Sequence, residues 1–152
     1  IYVSKYLMNR EIGFGRRLLQ ILEEEGISYE HTPSGIDNIS VILRERFFDE
    51  ETESRVIKRI MDELHVDEVS VERNLALVMI VGEGMRRSVG VCARATTALA
   101  NARVNLEMIN QGSSEVSMIF GVKVDDADRA VLALYQEFFT AQNACPQPAA
   151  IR

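Results

Sequence analysis

Two carboxylates, Glu30 and Asp37, follow a glycine-bearing segment, Gly13-Phe14-Gly15, at which an amphipathic pattern begins. A helix start presents backbone N–H groups without internal acceptors and a partial positive charge, which suits a carboxylate ligand. Glycines there let a ligand come close to the backbone. Two carboxylates beside such a helix end would suit a zwitterion that carries an extra positive charge. Each residue also has a plainer role: Gly13 permits a turn, Glu30 faces solvent, and Asp37 starts a strand. Binding, not catalysis, is the chemistry these residues offer.

The catalytic alternatives find little support. His31 and His65 stand alone, in no ligand pattern. His65 falls at a helix end, where a cation favours the dipole. No GxSxG nucleophile appears, and neither Gly13-Phe14-Gly15 nor Gly82-Glu83-Gly84 completes a GxGxxG fingerprint or precedes a phosphate-binding lysine. Cys92 and Cys145 lack CxxC spacing, so no metal ribbon or dithiol site is predicted. Cys92 lies in a helical pattern and is expected in the core. With 17 basic against 23 acidic residues the net charge is -6, aromatics make up 7% and tryptophan is absent. That excludes the basic, aromatic-studded surface of a nucleic-acid binder. Apolar runs are too short to span a bilayer, and two distant cysteines with no signal peptide point to the cytoplasm.

The elements that must position these residues come twice. Gly13 and Gly90 differ by 77, as do Met8 and Met85, Arg10 and Arg87, Arg17 and Arg94, Leu22 and Leu99, Ile27 and Val104, Glu30 and Glu107, and Ile39 and Val116. The register holds without a gap from residue 8 to residue 43, so the chain is two copies of one unit. In copy one the pattern predicts a strand over Tyr2 to Met8, a helix over Phe14 to Glu25 stopped by Gly26, and strands over Ile27 to His31 and Asn38 to Arg44. A helix over Glu50 to Leu64 and a strand over Val66 to Glu72 complete it. In copy two it predicts strands over Ala76 to Val81, Val104 to Ile109 and Glu115 to Val124. Helices are predicted over Val91 to Ala102 and Asp126 to Phe139, the latter capped by Asp125.

Strand, helix, strand, strand, helix, strand is the split βαβ plan of ferredoxin-like folds. The fold class is therefore α+β, with two βαββαβ units in tandem: residues 1–73, residues 74–140, and a flexible tail at 141–152. Copy two shows no last strand, because the segment after Phe139 carries prolines that a central strand excludes.

Several stretches make the resemblance specific. Lys5-Tyr6-Leu7-Met8-Asn9-Arg10-Glu11-Ile12-Gly13-Phe14-Gly15-Arg16, Ile27-Ser28-Tyr29-Glu30-His31-Thr32-Pro33-Ser34-Gly35-Ile36-Asp37 and Ile109-Asn110-Gln111-Gly112-Ser113-Ser114-Glu115-Val116-Ser117 resemble the tandem ACT domains in the regulatory half of lysine-sensitive aspartokinases. The resemblance implies binding of an end-product amino acid, L-lysine with or without L-threonine, and feedback inhibition of aspartate phosphorylation. It implies an effector site of Met8, Phe14, Gly15, Tyr29, Glu30, Asp37, Asn38 and Ile39, with Glu30 on a ligand amino group. Some lysine-sensing members carry Ser-Glu where this chain has Asp37-Asn38. It further implies a homodimer through the ACT domains, contact with a kinase domain, and a last strand for the second unit supplied by chain preceding the first. No cofactor is expected in this chain; ATP and Mg belong to the kinase domain.

Two rivals use the same fold. One is a dimerisation module without a ligand. The other is a small acylphosphatase-like hydrolase using Arg16 and Asn38, which the repeat disfavours because their counterparts are Ala93 and Glu115.

Overall fold

The computed structural model describes residues 1–140; Cys145 and the expected tail at 141–152 lie outside them. The chain divides into two compact units, Ile1–Arg73 and a second that begins at Asn74.

In the first unit β1 (Tyr2–Ser4) leads to α1 (Phe14–Glu24), β2 (Tyr29–His31), β3 (Asn38–Ser40), β4 (Ile42–Leu43), α2 (Glu50–Leu64) and β5 (Glu68–Ser70). Helix α1 buries Phe14, Leu18, Ile21 and Leu22, and α2 buries Val56, Ile60 and Leu64, each at helical spacing. Both stripes pack with Val3, Ile39 and Val41 into one core. Asp49 caps α2 by accepting from the Thr52 N–H at 2.9 Å. The strands run β3-β1-β5, all antiparallel, and β4 pairs separately with β2. The third strand of the plan is thus split at Val41, whose N–H turns to the carbonyl of Ile1 while Ser40 donates to Pro33.

In the second unit β6 (Leu75–Val81), α3 (Val91–Asn101), β7 (Met108–Gln111), β8 (Ser117–Lys123) and α4 (Ala127–Phe139) repeat the order. Here the third strand is unbroken, and the sheet runs β6-β8-β7. Even-numbered residues of β6 and β8, among them Val78, Ile80, Met118, Phe120 and Val122, form the core with Ala95, Leu99 and Leu134. Among the described residues no strand pairs with the other edge of β6.

The two copies share backbone devices as well as residues. Gly13 and Gly90 both cap a helix start in the left-handed region, at φ 77° and 88°. Both helices end in the same paired turn, in which Gly26 and Ile27 donate to Glu23 and Leu22 while Arg103 and Val104 donate to Ala100 and Leu99.

Some expectations fail. The first strand stops at Ser4, not Met8: Leu7 adopts φ 59° and Met8–Arg10 form a 3-10 turn. Asp125 is no cap; it lies in a 3-10 turn, and Asp126 precedes α4 without a capping side-chain bond. Cys92 is exposed, because α3 buries Val91, Ala95 and Leu99 and Cys92 sits one position round from that stripe. Strands β2, β5 and β7 are shorter than the apolar runs that suggested them, and β7 begins at Met108.

Candidate effector site

The loop between β1 and α1 is built around Lys5. Its N–H donates to the Asp37 carbonyl at 2.9 Å, and its carbonyl accepts from Met8 at 3.1 Å. Its ammonium lies 2.7 Å from the Leu64 carbonyl in the last turn of α2 and 2.6 Å from the Glu11 carboxylate. It also stands over the Phe14 ring, 5.7 Å from the centroid. Arg17 reaches the other oxygen of Glu11. The hydrogen bond from Lys5, then that from Arg17, hold the Glu11 carboxyl below its ordinary range. The predicted site residues did not include Lys5, Glu11 or Arg17. Their opposite charges flank the Gly13 turn at short range, and that was the available signal.

The structure gives the predicted residues distinct places. Met8, Phe14 and Ile39 are buried in the core of the first unit. Gly15 lies in the first turn of α1, where N–H groups have no acceptor within the helix. Asp37 sits just before β3, fastened by its carbonyl to Lys5 at the end of β1, and Asn38 opens β3. One Asp37 carboxylate oxygen, Oδ1, is shut off from solvent without a hydrogen-bond partner. Such an atom carries a desolvation penalty that a cation or donor would relieve. Among the described residues the other two buried side-chain atoms without partners, Arg17 Nε and His31 Nε2, also belong to the first unit.

Tyr29 and Glu30 are exposed on β2. Glu30 is not a free carboxylate: Arg44, just past β4, forms an ion pair with it. An open groove along α1 and β2, lined by Arg16, Leu19, Gln20, Glu23 and Tyr29 among others, holds Tyr29 alone of the predicted set.

The second copy is chemically different. Ser114 takes the place of Asp37 and Gly82 that of Lys5. Glu107 accepts from the Asn105 amide instead of from an arginine. Glu115, opposite Asn38, turns back to accept the N–H of Arg87, with both residues at positive φ. Among the described residues no cluster of histidine, cysteine and acidic side chains could hold a metal ion. No described helix is long and apolar enough to cross a membrane.

Two like units, each with a left-handed glycine before its first helix, invite comparison with known proteins. The ACT-domain family model matches residues 78–138. Aspartokinase 3 of Bacillus subtilis is 67% identical over 139 residues, which is 91% of this chain and 31% of that protein. The chain belongs to the ACT domains of aspartokinase regulatory regions. The aspartate kinase of Clostridium acetobutylicum, described as an allosteric enzyme, superposes with a TM-score of 0.84 at 38% identity, over 89% of this chain and 31% of that one. The regulatory subunit of aspartate kinase from Thermus flavus shares the fold with a TM-score of 0.74 at 22% identity, over 89% of this chain and 88% of its own length. The ACT pair thus spans about a third of the curated aspartokinase it matches best among these. The tandem ferredoxin-like plan expected from the repeat, and the ACT architecture that the resemblance implied, are the ones observed.

Proposed function

We propose that this ACT pair is the sensor of an aspartokinase that phosphorylates aspartate with ATP, and that L-lysine bound to the first unit feeds back on that reaction. The observation that carries the reading is the buried, unpartnered oxygen of Asp37, a residue fastened by its carbonyl to Lys5 in the segment that leads from β1 to α1. An amino acid brings the two groups such a place lacks. Its carboxylate meets the first-turn N–H groups of α1 around Gly15, and its α-ammonium meets Asp37. Met8, Phe14 and Ile39 form an apolar floor for its aliphatic part. Its side-chain ammonium reaches Glu30 on β2. Aspartokinase III of Escherichia coli, which shares this fold with a TM-score of 0.68 at 21% identity, has been solved in complex with lysine and aspartate.

Two copies of the chain pair along α1 and β2, where β2 has a strand neighbour on one side only and the groove is open. Lysine alters kinase activity because it binds one arrangement of this dimer, and of the kinase domain attached to it, more tightly than another. A coupling of about 1–3 kcal/mol corresponds to roughly 5- to 150-fold in affinity.

Thermal unfolding with L-lysine, L-threonine, L-methionine and D-lysine tests the reading. Ligand at about 100 times its dissociation constant adds roughly 2.7 kcal/mol, or several degrees for a chain of this size. L-lysine alone raising Tm supports the assignment, and threonine doing so instead replaces the effector. No shift with any amino acid, in a chain that is dimeric by light scattering, leaves a dimerisation module.

A further inference from the structure

The Glu30 carboxylate is already engaged. Arg44 follows β4, the strand that pairs with β2, so the two side chains stand as near neighbours across a two-stranded ribbon. Their side chains are 53% and 39% exposed, so the guanidinium can swing into solvent without opening the core. The arrangement belongs to the first unit alone. The counterpart of Arg44 is Gly121, and a Cβ there would stand 3.1 Å from the Cβ of Met108, leaving no room for a long side chain.

We propose that Arg44 is a built-in competitor for the cationic end of the effector. Resting on the effector assignment above, it holds Glu30 until a side-chain ammonium displaces it. An exposed ion pair of this kind is worth little, so the ammonium wins without a large conformational change. The affinity it gains is what remains after the Arg44 contact is lost. Arg44 therefore sets the concentration at which a cationic amino acid is sensed. It leaves untouched the part of the site that reads the α-ammonium and carboxylate, because Asp37 and the start of α1 make no contact with it.

Calorimetric titration of the chain with L-lysine, and with L-norleucine as the same carbon skeleton lacking the side-chain ammonium, tests this. Arg44→Gln is expected to bind L-lysine up to about fivefold more tightly, which is about 1 kcal/mol at 1.4 kcal/mol per decade. Arg44→Lys keeps the competing charge and is expected to match the native chain. L-norleucine binding should be the same in all three. Glu30→Gln should erase the gain, so that the double variant binds L-lysine no more tightly than Glu30→Gln alone. Unchanged or weaker L-lysine binding by Arg44→Gln, with the native chain still binding, overturns the role of Arg44 and leaves the sensor reading standing. An equal gain for L-norleucine overturns it as well. If neither the native chain nor Arg44→Gln binds any amino acid, the sensor reading and the competitor fall together.

Discussion

Asp37 and Lys5 are bound to one another through the backbone, yet they do opposite work. Asp37 leaves a carboxylate oxygen unanswered, whereas the Lys5 ammonium is answered by Glu11 and by the Leu64 carbonyl. Asp37→Asn should therefore weaken both L-lysine and L-norleucine, by about 10- to 100-fold, the usual worth of a hydrogen bond to a charged group. Its effect on Tm without ligand should be small or favourable, because a neutral amide replaces a carboxylate with one oxygen shut off from solvent. Parallel titrations and melts would show whether the two effects separate. Lys5→Met should do the reverse to stability. It loses a partly buried cation with two acceptors and lowers stability by about 1–2 kcal/mol, read from denaturant midpoints at constant m. The aspartate was visible in the sequence as a candidate; that it would be unpaired was not. Pairing depends on where Arg44 and Lys5 arrive, and those arrivals are set by a broken strand and a left-handed Leu7 that no periodicity announces.

At the scale of elements, the helix ends give the sharpest test. Gly26 and Arg103 occupy the same position of the same turn, at φ 70° and 58°. A glycine adopts this conformation freely, and an arginine does so at a cost of roughly 1 kcal/mol. Arg103→Gly should raise stability by about 0.5–1 kcal/mol, and Gly26→Ala, which has open space around it, should lower it by a similar amount. Chemical denaturation of both variants would check the opposite signs. Helices were legible because α1 and α2 carry wide apolar stripes bounded by glycine or by Asp49. Strand limits were not. In short strands such as β1 and β5 the apolar pattern continues past the point where pairing ends, and a turn through Leu7 reads like strand until its φ is seen. Cys92 misled for a related reason, since one step round a helix separates a buried position from an exposed one.

Across the whole molecule charge is distributed unevenly. Arg59 alone reaches Glu24, Glu25 and Glu63, and Arg55 shares Glu25. The carboxyls held below their ordinary range, Glu11, Glu24, Glu25 and Asp49, all lie in the first unit among the described residues. Arg59 is the main cause for Glu24 and Glu25, and the Thr52 N–H for Asp49. A carboxyl whose folded pKa is depressed contributes stability that is complete above its unfolded value, near 4.5 for glutamate, and is lost as pH falls through the folded value. Amide exchange followed from pH 6 to pH 3.5 should therefore show protection falling earlier in residues 1–73 than in the second unit. Arg59→Met should shrink that difference.

The second unit has a liability of another kind in the outer edge of β6, whose backbone groups are unpaired by any described strand while Leu77, Met79 and Val81 face out of the core. An unpaired, apolar edge is a template that any extended chain can read, including a half-folded copy of this one. Refolding yield should therefore drop as protein concentration rises, and Met79→Lys should restore it without altering the melting of the folded chain by more than about 0.5 kcal/mol. The same edge that makes the unit look unfinished would decide how much protein survives its own renaturation.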